Sequence, residues 1–75
     1  MTTERERGFL VLHGQYQIRV LNYIRRRISS EEVAEELAAD VFRIAWQKYD
    51  GVKDFSIGWF LTVARNLIGN EYQGR

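Results

Sequence analysis

Between Trp59 and Tyr72 the chain reads Trp-Phe-Leu-Thr-Val-Ala-Arg-Asn-Leu-Ile-Gly-Asn-Glu-Tyr. Phe60, Val63, Ala64, Leu67 and Ile68 recur at helical spacing and give the segment an apolar face. The rest of it carries Arg65, Asn66 and Asn70 together with aromatic edges. A helix that only filled a core would not need that set. An amide offers a donor and an acceptor to a base edge, a guanidinium meets phosphate, and an aromatic ring stacks on an unpaired base. Upstream, Glu31, Glu32, Glu35, Glu36 and Asp40 form a dense acidic run. Together the two segments suggest a nucleic-acid reader beside a protein-docking helix.

Other chemistry is poorly provided for. His13 is the single histidine and there is no cysteine, so no catalytic site is expected. Spacing of four pairs Glu31 with Glu35, Glu32 with Glu36, and Glu36 with Asp40, but bundle-type di-metal sites want Glu-x-x-His motifs, and none is present. No metal and no cofactor is therefore expected. The six glycines fit no phosphate-binding loop. His13 reads most simply as a partly exposed helix residue.

The elements that must position these residues are three helices. Phe9, Leu12, Tyr16, Val20, Tyr23 or Ile24, and Ile28 trace one face of a first helix over about 8–28, with residues 1–7 frayed or disordered. Arg25, Arg26 and Arg27 fall in its last turn, where cations complement the helix dipole; phosphate binding is the alternative. Ser29 and Glu32 have capping-box spacing for a second helix over about 31–49. Its apolar stripe runs through Val33, Ala34, Leu37, Ala38, Val41, Phe42, Ile44 and Ala45 to Trp46 and Tyr49. Gly51 ends that helix, and Asp54 or Ser56 caps a third over about 56–72, weakened near its end by Gly69. The fold class is all-α, a compact three-helix bundle forming a single domain over 1–75.

Composition agrees. At 75 residues the chain sits near the lower size limit for a core without staples, and with no cysteine it has no disulfide to help. Two Trp, four Tyr and four Phe enlarge the core instead. The absence of proline favours helix. A net charge of +1 is too small for binding duplex DNA by phosphate neutralisation alone, so nucleic-acid contacts should be local or shared with a larger partner. No apolar run approaches the ~20 residues that span a bilayer, and the first residues form no signal peptide. A cytoplasmic protein is expected.

Three segments carry a resemblance: Tyr16…Val20-Leu21-Asn22-Tyr23-Ile24-Arg25-Arg26-Arg27; Ala34-Glu35-Glu36-Leu37-Ala38-Ala39-Asp40-Val41-Phe42-Arg43-Ile44-Ala45-Trp46; and Trp59-Phe60-Leu61-Thr62-Val63-Ala64-Arg65-Asn66-Leu67. In order, spacing and aromatic placement they resemble region 2 of bacterial sigma factors, in the extracytoplasmic-function (ECF) branch. The resemblance implies a helical domain that docks on the clamp helices of the RNA polymerase β′ subunit and captures the non-template strand of the −10 promoter element. By position it implies polymerase contacts at Glu35, Glu36, Asp40, Arg43 and Gln47, with Leu37, Val41 and Phe42 holding the fold. It implies DNA contacts at Lys53, Trp59, Arg65, Asn66 and Tyr72. An anti-sigma factor is a further partner it brings into view.

The chain departs from that pattern in three places. Ala39 stands where the family usually has a glutamine that touches the clamp. The connection Asp50–Gly58 is shorter than usual and begins Gly51-Val52-Lys53, so base preference does not carry over. A full sigma factor of this branch also has a second helical domain for the −35 element, so the chain reads as an excised domain or a stand-alone piece. Two other readings stay open: an interaction module of the same scaffold without promoter recognition, and a homodimer with Phe55, Trp59 and Tyr72 at its seam. For single residues the plainer alternatives are burial of Trp46 and Trp59, a salt bridge from Arg65 to the acidic helix, a solvent-facing Asn66, and a merely solubilising Glu31–Asp40 face.

Overall fold

The computed structural model describes residues 3–49 and 55–73, the last two through their backbone only. Among these residues three helices follow in order: α1 (Glu4–Arg25), α2 (Glu31–Gln47) and α3 (Ile57–Gln73). Each packs against both of the others, so the fold is the all-α three-helix bundle expected from the pattern.

The first helix begins four residues before the expected start near Gly8, and residues 4–7 belong to it. Thr3 caps it, its hydroxyl accepting from the Glu6 amide at 3.1 Å, and Glu4 and Glu6 lie near the positive end of the dipole. A tertiary contact then fixes this polar turn. Arg5 Nη2 donates to the Trp46 carbonyl at 2.9 Å, and its guanidinium lies 3.6 Å from the centroid of the Trp46 ring. At the other end α1 stops at Arg25 rather than about Ile28. The amides of Arg27 and Ile28 both turn back to the Ile24 carbonyl, at 2.9 Å each, which swings Ile28 into the core.

That turn also moves the cap of α2. Ser30 holds the extended cap position and accepts from the Val33 amide at 3.3 Å, so the expected Ser29–Glu32 capping box is not formed. With Ile28 committed to the core, Ser30 is the serine placed one residue before the helix, and its third position is Val33, which cannot bond back to the cap. Two residues past the end of α2, the Tyr49 amide donates to the Trp46 carbonyl. Ser56 caps α3, accepting from the Trp59 amide at 3.3 Å. Gly51, Lys53 and Asp54 lie outside the described residues, as does the side chain of Tyr72.

The core sits where the three apolar stripes meet. Val20 and Ile24 of α1, Val41 of α2 and Phe60 of α3 are fully buried. Ala34, Ala38 and Ala45 let the neighbouring helices approach α2 closely. Phe60 is the hub: its ring lies 5.1 Å from Tyr16 on α1, 5.1 Å from Phe42 on α2, and edge-on to Trp59 at 5.2 Å. Burying such a ring is worth ~1.5–3 kcal/mol, and each aromatic pair adds ~0.5–1.5 kcal/mol. A second cluster joins the start of α1 to the end of α2, with Phe9 stacked on Trp46 at 5.1 Å. Among the described residues no polar or charged side chain is buried. The chemistry is therefore all on the surface.

Candidate polymerase and nucleic-acid faces

On α2, Glu36, Asp40, Arg43 and Gln47 recur at steps of four, three and four, which puts them on one stripe of the helix. Arg43 bonds Asp40 at 3.1 Å, with both side chains substantially exposed, so two of the expected polymerase contacts already pair with each other. Glu35 is about 100° away around the axis. It turns toward α1 and lines a groove of about 280 Å³ between the two helices. The acidic run is thus not one face. Glu31 is also set apart: Arg25 holds it with Nε at 2.9 and 3.0 Å from its two carboxylate oxygens and with a short Nη2 contact. That hydrogen bond, more than simple charge attraction, raises the Arg25 pKa above its ordinary value. Glu32, Glu35 and Glu36 make no ion pair among the described residues.

On α3, Trp59, Asn66 and Asn70 share a stripe, with Asn66 and Asn70 exposed and Trp59 half-buried. Trp59 keeps one side on the fold, edge-on to Phe55 at 4.8 Å as well as to Phe60. Arg65 is exposed and lies on the neighbouring stripe, one turn after Leu61. It forms no salt bridge to α2 among the described residues, so the plainer reading of that arginine fails. Of the residues expected at a homodimer seam, Phe55 packs on Tyr49, Trp59 and Phe60. Among the described residues the large apolar side chains most open to solvent are instead Leu10, Val11 and Ile18 on α1.

The structure adds a surface that reading the α3 segment alone missed. Arg19, Asn22 and Tyr23 of α1 and Arg26 just past its end face Ile57 and Leu61 of α3 across an open groove of about 280 Å³. Their spacing of three, one and three residues was visible in the sequence as a polar stripe, but its partner helix was not. The three consecutive arginines divide accordingly. Arg25 is spent on Glu31, Arg27 lies 3.7 Å over the Tyr23 ring and donates to its carbonyl, and Arg26 lines the groove. Arg65 does not line this groove, but it lies one turn after Leu61 on the same stripe of α3. The overall charge of +1 conceals this separation of an acidic α2 from a basic α1–α3 side.

A family model described as Sigma-70 region 2 matches residues 12–75, nearly the whole chain. The chain belongs to the sigma-70 region 2 family. Its role is therefore that of a sigma-factor domain in transcription initiation and promoter recognition, with RNA polymerase and promoter DNA as partners in general terms, and the domain is of a non-catalytic kind. No curated protein and no solved structure gives a significant match. Among the described residues, no helix is long and apolar enough to cross a membrane, and no three metal-ligating side chains converge.

Proposed function

We propose that this region 2 domain works as those of the ECF branch do, inside the cell, docking α2 on the β′ clamp helices and holding the melted −10 non-template strand on α3. The stripe Glu36–Asp40–Arg43–Gln47 is the docking surface, with Glu35 beside it. Trp59, Arg65 and Asn66 are the strand contacts, joined by Lys53 and Tyr72, and the groove bearing Arg19 and Arg26 takes the backbone onward. The observation that supports this most is the division of charge. Among the described residues Glu32, Glu35 and Glu36 stand on one helix with no ion pair, while guanidinium, amide and aromatic groups with no acidic partner there stand around another groove. An acidic surface steers and orients a basic clamp. Stacking at ~1–3 kcal/mol per base supplies strand affinity without a large net charge.

The test is fluorescence anisotropy of a labelled −10 non-template oligonucleotide, with a fragment carrying the β′ clamp helices present throughout. Single strand should bind more tightly than the matching duplex, and Asn66→Ala should weaken it. Equal binding of duplex and single strand, with Asn66→Ala unchanged, contradicts the strand-reading role.

A further inference from the structure

We propose that the α1–α2 groove receives one arginine side chain from the helix that docks on α2. The proposal rests on the docking reading above and names what enters beside Glu35. The floor of the groove is apolar, made by Leu21, Ala38 and Phe42. Ala39 at the rim, reduced to a methyl group, leaves its mouth open. At about 280 Å³ it falls below the ~300–1,000 Å³ of small-molecule sites, and suits a single long side chain.

The polar groups around it specify a cation. Glu35 stands at the α2 edge with no ion pair among the described residues. Arg25 feels its charge but is held by Glu31. On the α1 wall, Gln17 offers a carboxamide oxygen. His13 packs its imidazole against Phe42, with ring centroids 4.4 Å apart and planes tilted by 57°, and adds an aromatic ring to the α1 wall of the groove. An arginine lays its methylene stem on the floor and turns its fork to the carboxylate, with its charge kept near water. An aliphatic side chain would fill the floor and leave Glu35 facing an unpaired, partly desolvated position.

His13 is the single histidine, so its imidazole proton signals report on the α1 wall without assignment of other residues. The fragment carrying the β′ clamp helices is titrated into the chain while NMR follows those signals and calorimetry gives the affinity. The expected result has three parts. The His13 signals shift with the binding isotherm, Ala39→Leu weakens binding about tenfold, and Glu35→Gln weakens it at least as much as that. In addition, replacing the arginines of the fragment one at a time by methionine yields one whose loss and the Glu35→Gln loss are not additive. If Glu36→Ala weakens binding while the His13 signals stay still and no arginine couples to Glu35, the groove proposal is overturned and docking stands. If a leucine or methionine of the fragment couples to Ala39 instead, the arginine assignment is overturned. If the wild-type chain does not bind the fragment, the docking reading and this proposal fall together.

Discussion

Replacing Arg5 by alanine tests whether the first turn of α1 is part of the fold or an ornament on it. Its guanidinium donates to the Trp46 carbonyl in the last turn of α2, where helix carbonyls lack helical partners, and it covers the Trp46 ring. A hydrogen bond to a charged group contributes about 1.5–3 kcal/mol, and a cation–π contact at a partly exposed site about 0.5–1 kcal/mol. Arg5 is only half-buried, so the low end applies. Arg5→Ala should therefore cost about 2 kcal/mol. Against a total of about 4–11 kcal/mol for a 75-residue domain, that is a large fraction. The melting temperature should fall by roughly 8–16 °C. Arg5→Lys keeps the charge but loses the planar stack, and should lie between the two. Urea unfolding followed by tryptophan fluorescence and circular dichroism gives the free energies. Arg7, exposed on the same turn, is the control, and Arg7→Ala should stay within about 0.5 kcal/mol of wild type. Equal costs for Arg5→Ala and Arg7→Ala would refute the reasoning, because the contact with Trp46 would then contribute nothing of its own.

Other outcomes follow from the same contacts. Phe60→Ala removes the ring shared by all three helices and should cost about 3–5 kcal/mol, enough to leave much of the chain unfolded by circular dichroism at room temperature. Gly14→Ala and Gly69→Ala, whose new methyl groups meet open space, should each stabilise by about 0.5–1 kcal/mol in the same unfolding assay. Gly8→Ala should gain less or lose, since its methyl would lie 2.5 Å from the Tyr49 hydroxyl oxygen and that ring packs on Phe9 and Trp46. Arg65→Ala should lower the salt dependence of single-strand binding by about 0.7 in slope, the loss of one phosphate contact, while Asn66→Ala weakens binding with the slope unchanged.

The bundle was legible because each helix repeats its apolar residues at the helical period, and Phe60, Ala64 and Ile68 are buried as that spacing requires. What escaped the sequence depends on contacts between distant residues. Arg5 and Trp46 are 41 positions apart, so nothing local marks residues 4–7 as helix beyond a threonine cap and two acids. The cap of α2 depends on where α1 stops, and that is decided by Ile28 entering the core. The acidic run looks uniform along the chain, yet folding gives Glu31 to Arg25, Asp40 to Arg43, and Glu35 to a groove. In the same way Arg25, Arg26 and Arg27 are alike in sequence and acquire three different surroundings from Glu31, α3 and Tyr23. Lys53 and the side chain of Tyr72 fall outside the described residues, and their place in strand binding rests on the family resemblance.

Binding of the chain to a fragment carrying the β′ clamp helices, for wild type, Glu36→Ala and Asp40→Ala, tests the central claim most directly. Wild type should bind, and each substitution should weaken binding about tenfold or more, near 1.4 kcal/mol, because both carboxylates lie on the stripe proposed to dock. Absence of binding at any accessible concentration, or two variants that bind as wild type does, would contradict docking through α2.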